Sequence, residues 1–228
     1  MSEYTLDDVA VVMGTYNEAA AVGTVLSDIA DVTDGRADVV CVDSSDDRTP
    51  EIARDHGATV IEQPPMGYGH AVREAVLTPE RPVIVTTDCD DTYPMEKLPA
   101  FLTRINEGYD VVSGDRLYYG ADAMPAFNRF GNAVFAAVAS VLTGERVHDT
   151  TTGMRAYRRE LLHDIEWTEN TGLSAELLLR RSSSGSWTWA APVAGPPYWR
   201  MSAIRRGSPL KDGSSSTICS TSWSVTSG

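Results

Sequence analysis

The chain has 228 residues, 42% of them hydrophobic, and a formal net charge of -13. That is ample for one large globular domain, or a domain with an appendage, and the charge excludes nucleic-acid binding through bulk electrostatics. No stretch approaches the ~20 apolar residues of a membrane span. Met1-Ser2-Glu3-Tyr4 does not open a signal peptide. Cys41, Cys89 and Cys219 are scattered, which implies neither a disulfide framework nor a zinc site and fits a reducing cytoplasm. Lys97 and Lys211 are the only lysines. An acidic, lysine-poor surface resembles proteins of salt-loving organisms, where screening removes self-repulsion.

In chain order, residues 8–13 read as a first strand, and Gly14-Thr15-Tyr16-Asn17-Glu18 turns out of it with Asn17 as helix N-cap. Residues 19–30 read as a helix with Val22, Val25, Leu26 and Ile29 on one face. A strand at 37–42 ends in Asp43-Ser44-Ser45-Asp46-Asp47 and leads to a helix at 49–56. A strand at 58–61 is followed by Gln63-Pro64-Pro65-Met66-Gly67-Tyr68-Gly69 and a helix at 71–77. The β-branched run from Val83 reads as a buried strand, and it empties into Asp88-Cys89-Asp90-Asp91 before the turn signal Tyr93-Pro94. A helix at 95–106 and a strand at 109–112, ending Ser113-Gly114-Asp115-Arg116, complete the alternation.

Strands alternating with helices of this length predict β-α-β units and an α/β fold with a mainly parallel sheet. Ligands of such sheets sit beyond the carboxyl ends of the strands. Tyr16 and Glu18, Asp43, Gly67 to Gly69, Asp88 to Asp91 and Arg116 all fall there. Asp88 and Asp90 are two apart, so in an extended segment their side chains project to one side. That spacing suits a hard divalent ion that keeps positions open for a substrate phosphate; the alternative is an acidic loop facing water. No Gly-x-Gly-x-x-Gly follows the first strand, no phosphate loop of the GxxxxGK[ST] kind occurs, and no Ser, His and Asp set has hydrolase context.

Residues 127–142 form an apolar stretch too short to span a bilayer, read as a buried helix or as one lying on a membrane surface. Asp149-Thr150-Thr151-Thr152-Gly153-Met154-Arg155 follows, then a helix at 172–179. Beyond residue 180 the composition breaks. Residues 1–180 hold 31 acids and 14 Lys/Arg, whereas 181–228 hold one acid, five Lys/Arg, four of the five tryptophans and 13 serines. The expected organisation is one domain over 1–180 and an irregular, poorly ordered tail over 181–228, which a reading-frame shift near residue 181 would explain.

Six motifs, in order and spacing, resemble the family 2 glycosyltransferases of GT-A fold, in particular the branch that loads hexoses onto polyprenyl phosphates. They are Thr15-Tyr16-Asn17-Glu18, the segment from Asp43 to Thr49, Gly67-Tyr68-Gly69, the segment from Asp88 to Pro94, Gly114-Asp115-Arg116, and the segment from Asp149 to Arg155. Gly14 and Val42 stand where the family commonly has Pro and Asp. The resemblance implies a donor site at Thr15, Tyr16, Glu18, Asp43, Gly67 and Asp88, with Asp43 bonding the base or ribose. It implies Mg²⁺ or Mn²⁺ held by Asp88 and Asp90, and catalytic roles for Asp88, Asp90, Arg116 and Asp149. Arg116 would contact a phosphate, and Arg129 and Arg155 the acceptor phosphate; salt bridges are the alternative reading of these last two.

The implied donor is a nucleotide-diphosphate sugar, a UDP-hexose or GDP-mannose. The implied acceptor is a polyprenyl or dolichyl phosphate, met at the cytoplasmic face of a membrane by peripheral contact. A sugar hydroxyl as acceptor would need a carboxylate base, for which Asp91, Asp149 and Glu176 are the candidates. A non-catalytic nucleotide-binding relic is the remaining alternative. The family's basic loop of the Arg-x-x-Gly-x-Ser-Lys kind, which closes on the diphosphate, has no clear counterpart after residue 181.

Overall fold

The computed structural model describes residues 3–115, 152–163, 187–194 and 200–206. Arg116, Arg129, Asp149 and Glu176, with the helices expected at 127–142 and 172–179, lie outside them. The strands are β1 (Val9–Thr15), β2 (Asp38–Asp43), β3 (Thr59–Glu62), β4 (Val83–Thr86), β5 (Val111–Asp115), β6 (Arg155–Arg158), β7 (Trp187–Ala194) and β8 (Arg200–Arg206). The helices are α1 (Val22–Thr33), α2 (Thr49–Asp55), α3 (Tyr68–Leu77), α4 (Leu98–Asn106), entered through a 3-10 turn at Met95–Lys97, and α5 (Arg159–His163).

Among the described residues the strands form one sheet in the order β3-β2-β1-β4-β6-β5-β8-β7. From β3 to β4 neighbours run parallel; from β4 outward every pairing is antiparallel. β1, β4 and the later residues of β2 are buried on both faces, and the period of two sorts their side chains. Val9, Val11, Met13, Cys41, Val83 and Val85 join one core with α1 and α4. Ala10, Val12, Val40, Val42 and Ile84 join the other with α3 and α5.

The sequence reading placed the β-α-β order and most boundaries within two residues. Three differences are informative. α1 begins at Val22, and its N-cap is Ala21, with no side-chain bond. Asn17 instead adopts a left-handed backbone and bridges two loops. β6 was not anticipated; it is four residues long and fully buried, with two arginines where a buried strand ordinarily shows an apolar run. Finally, the segment expected to be irregular contributes β7 and β8 to the sheet. Trp, Thr and Val favour strands, and the register shifts between Ala190 and Val193, around Pro192. Proline, lacking a donor, is tolerated at such a bulge on an edge strand.

Arg158 shows how β6 tolerates charge. It is 5% exposed. Its Nη2 donates to the Ile105 carbonyl at 2.8 Å, and its Nε donates to the Tyr109 carbonyl at 3.2 Å and faces Asp110 Oδ1 at 3.3 Å. The pair ties β6 to the end of α4. Replacing Asp110 by Ala should leave a buried guanidinium without its counter-ion. The expected cost is about 3 kcal/mol, the lower end for such breaks because both carbonyls still accept, measured by urea denaturation.

Candidate active site

The carboxyl ends of β1, β2 and β4 bring the polar clusters to one edge. Two of the loops there are stitched by side chains of short reach. Asp43, 1% exposed at the end of β2, accepts from Thr15 Oγ1 at 2.5 Å, Ser45 N at 2.9 Å and Ser45 Oγ at 2.7 Å. Asn17 N donates to Ser45 Oγ and Asn17 Oδ1 accepts from Asp46 N. Glu18 N donates to Thr49 Oγ1, itself bonded to Asp47. These bonds hold the loop after β1 against the loop after β2, and so fix Tyr16 and Glu18. Asp43, expected to face the base or ribose, is occupied in ordering this edge.

Two hollows adjoin at the edge. One is a slot of about 280 Å³ lined by Thr15, Tyr16, Ser44, Pro65, Gly67 and Tyr68. The other, about 390 Å³, is lined by Tyr16, Glu18, Tyr68, Asp88 and Asp90. Tyr16 and Tyr68, both more than half exposed, belong to both walls. Gly67 opens α3 with φ 97, a backbone that favours glycine. Gly14 lets α3 seat on β1: a Cβ there would lie 3.0 Å from the Ala71 Cβ. The family's proline would meet that neighbour.

Asp88 and Asp90 both line the second hollow. Cys89 between them is 3% exposed and packs in the core, where burial pushes its thiol far above the ordinary range. Asp90 is exposed, and its Oδ1 accepts from Thr92 N at 3.2 Å and Thr92 Oγ1 at 2.6 Å. Asp88 accepts from the Tyr68 hydroxyl at 2.6 Å. Its other face abuts Gly153: a Cβ there would overlap Asp88 Oδ2 and lie 2.7 Å from the carboxyl carbon. Gly153 cannot retreat, since its N–H donates to Tyr93 Oη at 2.7 Å and its carbonyl accepts from Thr86 Oγ1 at 2.7 Å.

Glu18 completes the hollow. Partial burial, then the charges of Asp90, Asp47 and Asp88, raise its carboxyl above the ordinary range. Carboxylates held this close favour a cation between them. Among the described residues no set of three or more His, Cys, Asp or Glu has metal-holding geometry. A hard ion of the kind that takes one or two carboxylates and completes its shell from substrate phosphate and water would find such oxygens at Asp88 and Asp90.

Arg155 departs from expectation. It is 1% exposed in β6 and donates from Nε to Ser113 Oγ at 3.1 Å. A guanidinium so enclosed does not present itself to an acceptor at the surface. Sequence reasoning also missed Tyr68, Gly153 and Tyr93; the Gly-Tyr-Gly and Thr-Gly-Met motifs marked the positions but not the contacts.

A carboxylate hollow thus adjoins a tyrosine-walled slot at the strand-end edge of this α/β sheet. Residues 10–166 match the family model described as Glycosyl transferase family 2, and the chain belongs to that family of glycosyltransferases. It is 66% identical over 213 residues to the dolichyl-phosphate hexose transferase of Haloferax volcanii, spanning 93% of this chain and 92% of that protein. It is 32% identical over 173 residues to an undecaprenyl-phosphate 4-deoxy-4-formamido-L-arabinose transferase of Pseudomonas aeruginosa, spanning 71% of this chain and 50% of that one. Glucosyl-3-phosphoglycerate synthase from Mycobacterium tuberculosis, solved with uridine diphosphate, superposes with a TM-score of 0.61 at 24% identity, over 75% of this chain and 63% of that one. At that identity the likeness concerns the fold.

Two expectations follow. Gly153→Ala should displace the Asp88 carboxylate and lower the transfer rate at least about tenfold, with an overpacking cost of about 1–3 kcal/mol in thermal unfolding. Glu18, its pKa raised in the fold, binds its proton more tightly there than in the unfolded chain. Its stabilising contribution is thus full below the unfolded value and lost as pH rises through the folded one. Without metal and at low salt, Glu18→Gln should raise the unfolding temperature near about pH 7 and lose that gain by about pH 4.

Proposed function

We propose that this glycosyltransferase moves a hexose from a nucleotide-diphosphate sugar, a UDP-hexose or GDP-mannose, to a polyprenyl phosphate, with inversion at the anomeric carbon. The acceptor class follows from the 66% identity to a dolichyl-phosphate hexose transferase, and the product would serve protein N-glycosylation or cell-surface glycan assembly. The observation that carries the chemistry is the hollow in which Glu18, Asp88 and Asp90 converge beside the slot of Thr15, Tyr16 and Gly67.

In this reading the slot takes the nucleoside. Asp88 and Asp90 hold Mg²⁺ or Mn²⁺ beside the donor diphosphate. Such an ion, when bound, neutralises charge that grows on the leaving diphosphate more in the transition state than in the ground state. Asp43 acts through Thr15 and Ser45, keeping the slot in shape. A lipid phosphate, with a second pKa near ~6, is already an anionic nucleophile at neutral pH, so no residue need take a proton from it. Arg116 and Arg129 carry the phosphate contacts, since Arg155 is enclosed, and Asp149 has its proposed role beside them. Residues 1–180 hold the chemistry in this proposal.

Among the described residues no helix is long and apolar enough to cross a membrane, so lipid acceptors would be met by peripheral contact at the cytoplasmic face. The test is a radiolabelled donor screen with dolichyl phosphate, in high salt, on protein whose C-terminal peptides are verified by mass. Organic-extractable label that requires Mg²⁺ or Mn²⁺ is the expected result. Asp90→Asn keeps an acceptor for Thr92 while removing the charge; it should reduce transfer by at least about 100-fold with an unchanged circular dichroism spectrum. Label recovered only in a water-soluble product would point to a sugar-hydroxyl acceptor, and nucleotide binding without turnover to a relic.

A further inference from the structure

Resting on the proposed metal role of Asp88, we infer that Tyr68 is a positioning residue that sets the orientation of that carboxylate. Three observations meet at this side chain. Its hydroxyl donates to Asp88 Oδ1 at 2.6 Å, within the short range of hydrogen bonds to ionised acceptors. Its ring is half-exposed and lines both the slot and the hollow. The third is the backbone behind it: Gly67, with φ 97, starts α3 at Tyr68, and Gly14 admits α3 onto β1.

Asp88 is thereby confined from two directions. Gly153, held by Tyr93 and Thr86, blocks the side of Oδ2, and Tyr68 engages Oδ1. Between these contacts the carboxylate lines the hollow shared with Asp90. A carboxylate oxygen has a second lone pair, so the bond from Tyr68 leaves Asp88 able to ligate. Hydrogen-bonded partners of metal-ligating carboxylates are commonly worth 10–100-fold in metal affinity. Tyr68 also stands where the slot meets the hollow, so the same hydroxyl lies beside the path from nucleoside to diphosphate.

Tyr68→Phe keeps the ring and removes only the hydroxyl. The experiment measures Mn²⁺ binding by electron paramagnetic resonance and calorimetry, in the presence of uridine diphosphate and separately of guanosine diphosphate, for the wild type and for Tyr68→Phe. The expected result is a Mn²⁺ dissociation constant raised at least about tenfold with the unfolding temperature unchanged. A merely structural tyrosine would move the second quantity and not the first. Mn²⁺ binding by Tyr68→Phe equal to, or tighter than, that of the wild type overturns the inference while leaving the metal site standing. A wild type that binds no Mn²⁺ with either nucleotide overturns the metal site and the inference together.

Discussion

Glu18, Asp88 and Asp90 project into one hollow, and the charges of the last two make Glu18 harder to ionise. Repulsion of this kind disfavours the folded state unless something opposes it. What opposes it here is the sheet beneath. β1 and β4 are neighbours in parallel register, with Val9, Val11, Val83 and Val85 in one core and Ala10, Val12 and Ile84 in the other. Burial on both faces fixes the strand ends at no more than a pleat's freedom. Cys89 adds an anchor between the two aspartates, its side chain in the core. The crowded carboxylates are thus the consequence of a well-packed sheet whose strands end together.

Positioning then passes from the sheet to side chains of limited reach. Thr15, Ser45, Thr49 and Thr92 each bond a carboxylate within a few ångströms of their own backbone. Short side chains have few rotamers to lose, so they order a loop at small entropic cost. Asn17 bonds across the same gap from a left-handed backbone, a conformation that Asn tolerates better than most residues. The result is a donor edge that does not depend on long, flexible cations. That matters in a chain with two lysines.

The element order and the two-sided core were legible in the sequence because each is a matter of period: two for strands, 3.6 for helices. Contacts set by long-range approach were not. Nothing in Gly153 announces that it will lie against Asp88, 65 residues earlier in the chain. Arg155 and Arg158 defeat the rule that buried strands are apolar, because their polar groups are met inside, by Ser113 and by Asp110 with two carbonyls. Asn17 reads as a cap from composition alone, but the bonds that determine its conformation come from the loop after β2. β7 and β8 were obscured by serine-rich flanks, and pairing with β5 rather than any local pattern defines them.

The glycines carry the last step of this reasoning. Substitutions that change charge at the hollow act on the chemistry directly, but Gly14, Gly67 and Gly153 act by leaving room. At Gly14 the room lets a helix reach a strand, at Gly67 it lets the chain turn into that helix, and at Gly153 it lets a backbone lie flat on a carboxylate. Gly14 and Gly67 also line the slot assigned to the nucleoside in the proposed reaction. Gly14 and Gly67 bear on where α3 places Tyr68, and Gly153 lies against Asp88, so the meeting of Tyr68 with Asp88 is shaped by residues that have no side chain. The pairing of Gly14 with Ala71, both small, is what allows this chain to bring a phenol to its first aspartate.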